Sequence, residues 1–309
     1  MDPRIAPDLS ALARLQHEAR GFSFLNRQPV HSLLSGRRAS RVRGRGLAFE
    51  EIRSYRPGDD IRHIDWRASA RTGDTQTRVF TEERDRPTLL VVDLTAAMFF
   101  GSVHATKSAI AAEVAALCCW RGLRAGDRLG ALVFGDDGVT EFRAHRSRAA
   151  VMRILGEVAR RAEALAAAPP RPAGPSALNA ALRRAEELVT HDAMVVVIAD
   201  IQAADEAAAR SLGRIARHND VIAVPISDPL ERALPEAPWR GRATDGAQTA
   251  TIDPRGAGWQ VPEAYAQRLE AIRKGGLRLE TPVLPVGTEE EAAPQLRRML
   301  GAAAAPKRR

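Results

Sequence analysis

The chain has 309 residues, with 46 basic and 38 acidic side chains and a formal charge of +8. A hydrophobic fraction of 45% beside 27% charged residues excludes a collagen-like, disulfide-framed or wholly disordered chain and suits one large domain or two modest ones. No apolar run reaches the roughly 18 residues that cross a bilayer, and the opening MDPRIAPDLSALARLQHEAR lacks the pattern of a secretory signal.

Residues 1–35 read as one or two short helices. Residues 36–86 are dense in charge, glycine and turn residues, a composition that often means loop. Yet Phe49, Ile52, Tyr55, Ile61, Ile64, Trp66, Val79 and Phe80 recur through this stretch as regularly spaced anchors. Its arginines alternate with aspartates, which favours internal ion pairing. The spacing predicts an ordered, hairpin-rich extension packed on the domain that follows.

From Thr88 onward, short apolar runs alternate with helical patterns. TLLVVD (88–93) reads as a buried strand and 103–122 as a helix. RLGALVF (128–134) is the next strand, and VTEFRA (139–144) pairs back on it across Gly135-Asp136-Asp137-Gly138. Helices are expected over 148–166 and, behind Ser176 as a candidate N-cap, over 177–190. MVVVIAD (194–200) and VIAVPI (221–226) are further buried strands, with a helix over 205–218 between them. A hairpin around Asp245-Gly246, a helix over 262–274, a short strand in LRLETPVLPV and a helix over 289–300 follow. Strands separated by helices imply a mainly parallel sheet with helices on both faces. The expected organisation is a helical segment (1–35), the charged extension (36–86), an α/β domain (87–301) and a frayed tail (302–309).

The two cysteines, Cys118 and Cys119, are adjacent and offer neither an unstrained disulfide nor a metal-type spacing. They read as buried packing residues in a reducing cytoplasm. No Walker-type phosphate loop, HExxH or GxSxG occurs, and the seven histidines are scattered. Five arginines between Arg37 and Arg45 offer a nucleic-acid surface as one alternative. However, 43 of the 46 basic residues are arginine and alanine is abundant, a skew typical of GC-rich coding. A solvated, partner-facing surface is the preferred reading.

The most informative stretch is Tyr55-Arg56-Pro57-Gly58-Asp59-Asp60-Ile61-Arg62-His63-Ile64-Asp65-Trp66, continued by Ala68-Ser69-Ala70-Arg71. Pro57-Gly58 favours a tight turn, and Asp59 and Asp60 are placed to cap the next turn or to pair with Arg62 and Arg71. Over residues 36–86 the chain resembles the signature of the domain of unknown function 58 family, approximately R-x-Y-x-x-G-D-D-x-R-x-I-D-W and then S-A-R. Ala48 departs from it, standing before Phe49 where the family usually has an acidic residue.

The resemblance implies a von Willebrand factor type A-like (Rossmann-type) domain, in accord with the alternation above. Many relatives carry two N-terminal membrane helices, so this chain is expected among the shorter, cytoplasmic members. A MoxR-type AAA+ ATPase and a client protein complex are the implied partners. Arg53, Tyr55, Gly58, Asp59, Asp60, Arg62, Asp65, Trp66, Ser69 and Arg71 are the implied interaction residues.

Type A domains hold a divalent cation through D-x-S-x-S, a later Thr and a later Asp, because hard cations need several oxygen ligands gathered at one sheet edge. Carried over residue by residue, this assigns Asp93, Thr95, Ser176 and Asp200 to a degenerate adhesion-type site for Mg²⁺ or Mn²⁺. Ala97 stands at the last serine position and cannot ligate. The same residues serve equally well as strand ends and helix caps without any metal. The expected function is a non-enzymatic, chaperone-like adaptor. The alternatives are a metal-dependent hydrolase using Asp59, Asp60 and Asp65 beside Asp93 and Asp200, and nucleic-acid binding through Arg37–Arg45.

Overall fold

A computed structural model describes residues 1–20, 47–55, 61–82, 87–167, 176–232, 241–244, 249–252, 261–274 and 281–300. The chain divides into two units, Met1–Arg27 with Arg86–Arg309, and Gln28–Asp85. The first unit opens with α1 (Leu9–Arg14), whose N-cap Asp8 accepts the Ala11 N–H at 2.7 Å.

The smaller unit is built on an antiparallel pair, β1 (Leu47–Ser54) and β2 (Gln76–Glu82), with a register shift between Phe49 and Glu51. Between the strands lie a 3-10 turn, Ile61–His63, and α2 (Trp66–Thr72). Asp65 starts α2 as its N-cap, accepting the N–H groups of Arg67 and Ala68 at 3.1 and 3.0 Å. Gly73 ends it at φ 80°, a left-handed conformation that glycine adopts without a Cβ penalty. Ser69 locks α2 to β2: its hydroxyl donates to the Asp65 carbonyl and accepts the Gln76 N–H, both at 2.8 Å. Among the described residues of this unit, capping and backbone pairing supply the order.

The larger unit continues with β3 (Pro87–Asp93), α3 (Lys107–Ala125), the hairpin β4 (Arg128–Gly135) and β5 (Gly138–His145), α4 (Arg148–Ala167) and α5 (Ser176–Leu188). Then come β6 (Met194–Asp200), α6 (Glu206–Ile215), β7 (Asp220–Ser227) and α7 (Pro229–Arg232). A small antiparallel pair, β8 (Gly241–Thr244) and β9 (Thr249–Ile252), precedes α8 (Val261–Lys274), β10 (Val286–Gly287) and α9 (Ala292–Leu300).

The main sheet has six strands in the order β10-β7-β6-β3-β4-β5. All adjacent pairs are parallel except β4 with β5, which closes one edge antiparallel. Because strand side chains alternate in direction, Leu90, Val92, Val133 and Ile198 pack on one face with α1, α3, α4 and α9. Leu89, Val91, Phe134 and Val197 pack on the other with α5, α6 and α8. Strands covered on both faces read as unbroken apolar runs, which is why TLLVVD and MVVVIAD announce themselves. Each fully buried side chain such as Leu90 or Phe134 contributes about 1.5–3 kcal/mol.

This is the α/β class expected from the sequence. Cys118 and Cys119 are free and buried within α3. Among the described residues no helix is long and apolar enough to cross a membrane.

Candidate functional site

In a parallel sheet the strand ends and the loops leaving them converge at one edge, where such folds bind their ligands. Here β3 delivers Asp93 and β6 delivers Asp200 to that edge, 0% and 3% exposed. Asp93 Oδ1 accepts both the N–H and the hydroxyl of Thr95, at 2.9 and 2.8 Å. Its Oδ2 accepts the Asp200 N–H at 3.3 Å, tying the two strand ends together. Burial pushes the Asp93 carboxyl up to about 6 against the opposing pull of the Thr95 hydrogen bonds, and the Asp200 charge adds to the rise.

Lys107, the first residue of α3, points its ammonium into this edge. Nζ lies 2.9 Å from Asp200 Oδ2 and 2.8 Å from Glu231 Oε1, and the side chain is 2% exposed. Burial disfavours the ammonium, but the charges of Asp200 and Glu231 outweigh it and hold the lysine above its ordinary value. The remaining oxygens are engaged as well: Asp200 Oδ1 accepts the Gln202 N–H, and Glu231 Oε2 accepts the Asp228 N–H, both at 2.9 Å.

These residues do not fit a divalent ion. A metal needs lone pairs converging on one empty centre, whereas the Lys107 ammonium fills the position that Asp200 Oδ2 and Glu231 Oε1 face, and Asp93 turns its oxygens to Thr95 and the Asp200 N–H. A dication about 4 Å from the ammonium would be repelled by on the order of 8 kcal/mol at an effective dielectric of ~20. Ser227 Oγ and Gln202 Nε2 are buried at the edge without partners, but one hydroxyl and one amide donor do not make a ligand set. Among the described residues no group of three or more His, Cys, Asp or Glu is placed to hold a metal.

The segment between β3 and α3 forms the rim of this edge and carries Phe99, Phe100 and Val103, exposed by 41%, 42% and 67%. It is pinned at several points. The Ala96 N–H donates to Asp136 Oδ2 at 2.7 Å, and the His104 and Ala105 N–H groups donate to the Thr288 carbonyl. The Lys107 N–H donates to the Phe100 carbonyl at 2.8 Å, and the Lys107 ammonium lies 5.9 Å from the Phe100 ring centroid. Gly101 permits the tight path, since a Cβ there would meet the Ala105 carbonyl oxygen at 2.1 Å.

Of the four expected metal residues, Asp93, Thr95 and Asp200 come together at the edge, while Ser176 opens α5 with its side chain outside the described residues. In the smaller unit, Asp65 caps α2 and Ser69 bridges α2 to β2, while Trp66 is 71% exposed. Arg53 donates to the Ser54 carbonyl and the Tyr55 N–H donates to the Thr75 carbonyl. Arg62 and Arg71 are exposed. Gly58, Asp59, Asp60 and the Arg37–Arg45 cluster lie outside the described residues.

Sequence reasoning missed Lys107, Glu231 and the Phe99–Val103 rim. One usable signal existed for the lysine: it is one of three in the chain and opens the apolar run KSAIAAEVAALCCW.

The sequence profile of the family described as "Protein of unknown function DUF58" matches residues 51–255. Uncharacterized proteins of Mycobacterium bovis and Mycobacterium tuberculosis are 31% identical over 214 residues, covering 68% of this chain. The chain spans 64% of the length of these relatives. A crystal structure of the conserved hypothetical protein BatB from Bacteroides thetaiotaomicron superposes at a TM-score of 0.40 with 14% identity, covering 68% of this chain and 93% of that one.

Proposed function

This chain belongs to the family of proteins of unknown function DUF58, and we propose that it works as a non-enzymatic interaction module whose docking surface is the rim of the sheet's C-terminal edge. The observation that carries this reading is the pinned loop presenting Phe99, Phe100 and Val103 to solvent. Contiguous exposed apolar side chains on a soluble domain mark a contact surface. Holding them on a loop fixed at both ends lowers the ordering cost of binding. The partner implied by the family signature is a MoxR-type AAA+ ATPase acting on a client complex, with the exposed Trp66 of the smaller unit as a second contact.

The test is co-elution and titration of the full chain with a MoxR-type ATPase from the same genome, using wild type and Phe99→Ser/Phe100→Ser. Two central aromatic contacts are together expected to account for at least about a tenfold change in affinity. Unchanged affinity in a folded double variant would remove the rim from the interface. Absence of binding by wild type would remove the ATPase as partner.

A further inference from the structure

We infer that the Lys107 ammonium is the resident cation of the sheet's C-terminal edge, standing where a type A-like domain would hold a divalent ion. Its backbone is fixed as the first turn of α3 and its stem is buried. From there a single positive charge reaches Asp200 at the end of β6, Glu231 on α7 and the Phe100 ring on the loop leaving β3. Two of these segments, the loop leaving β3 and the end of β6, also carry expected metal residues, Thr95 and Asp200, whereas α7 carries none.

The chemistry differs from that of a metal in two respects. The lysine is tethered, so the edge keeps a positive charge between Asp200 and Glu231 at any ion concentration. An ammonium also offers N–H donors and no vacant coordination position, so a partner's carboxylate has no shared metal to complete. Docking at this edge is therefore insensitive to chelators. Lys107 plays this part whatever binds the Phe99–Val103 loop, and the measurement below reads it without a partner.

Removing the ammonium should open the edge to a metal, because Asp200 Oδ2 and Glu231 Oε1, the two oxygens that the ammonium holds, would be left facing one empty centre without a cation. The experiment is thermal unfolding of the full chain in EDTA and in millimolar Mg²⁺ or Mn²⁺, for wild type, Lys107→Ala and Lys107→Ala/Asp200→Asn. Wild type is expected to shift by less than about 1 °C with either metal. Lys107→Ala is expected to melt lower in EDTA and to regain about 5 °C or more in Mn²⁺ at roughly a hundredfold excess over its dissociation constant. The double variant is expected to lose that response.

If Lys107→Ala does not fold in EDTA, refolding it in Mn²⁺ is expected to recover the cooperative transition, and failure to do so would overturn the assignment. A folded Lys107→Ala that ignores both metals would overturn it too. So would a metal-induced rise in wild type that disappears in Asp93→Asn, since the edge would then bind a metal with the lysine in place.

Discussion

Ser102 donates its backbone N–H and its hydroxyl to the two carboxylate oxygens of Asp228, at 2.8 and 2.5 Å, across 126 residues of sequence. The same buried carboxylate accepts the Thr288 hydroxyl at 2.5 Å and the Leu230 N–H at 2.9 Å. One side chain thus ties the exposed apolar loop to the end of β7 and to the segment after β10.

Asp228→Ala strands these donors and is expected to cost about 2–4 kcal/mol, read as a lowered urea midpoint; Asp228→Asn keeps acceptor oxygen and should cost less. Burial raises this carboxyl, but the Ser102 and Thr288 hydrogen bonds outweigh it and leave it below the usual aspartate value. Stability from the lowered group is present above the unfolded value near 3.8 and is lost as pH falls through the folded value. The gap between wild type and Asp228→Asn should therefore be full at pH 7 and shrink in acid. An equal gap at both ends would contradict it.

Glu113 on α3 accepts the Ala292 N–H at the start of α9, at 2.9 Å. Burial lifts its carboxyl from 4.5 to about 7, with the charges of Glu291 and Glu18 adding to the rise. The folded chain keeps a proton that the unfolded chain has released, so this group's contribution to stability falls as pH climbs from about 4.5 to about 7. Glu113→Gln retains the acceptor oxygen without the charge. It should match wild type near pH 4.5 and exceed it above pH 7 by on the order of 3 kcal/mol. Denaturation midpoints across that range would show the divergence; parallel curves would refute it.

Leu12 on α1 is fully buried, and its carbonyl accepts the Trp120 Nε1–H of α3 at 3.0 Å. The Arg148 guanidinium stacks 4.9 Å from the Trp120 ring. Leu12→Ala should destabilise the whole larger unit by about 2–5 kcal/mol. One cooperative transition at lower temperature is expected. A wild-type midpoint accompanied only by early proteolysis of the first twenty residues would mean that α1 is dispensable.

Burial pushes the Cys119 thiol up to about 12 and the Cys118 thiol well above its ordinary value, the neighbouring cysteine adding to the second shift. The thiolate is the reactive form, so neither thiol should react with a disulfide reagent at pH 8 in the native protein. Both should react in denaturant. Rapid native labelling would show that α3 opens readily.

Much of the larger unit was legible because its strands are buried on both faces and read as continuous apolar runs, and because Gly135-Asp136-Asp137-Gly138 carries its own turn chemistry. Helix α3 was expected from residue 103 but begins at Lys107. Thr106 caps it by accepting the Ala109 N–H at 3.1 Å, while residues before it are drawn away by bonds to Asp228 and Thr288. Local periodicity cannot register partners that distant in the chain.

By itself the sequence determined the class of fold, the family signature and the two aspartates ending β3 and β6, since each is written in contiguous residues. Only the tertiary structure decided what those aspartates face. Lys107 reaches Asp200 and Glu231 across 93 and 124 residues, and an isolated lysine reads as a solvated charge. Burial against two carboxylates, which only the folded chain supplies, makes it the cation of the edge.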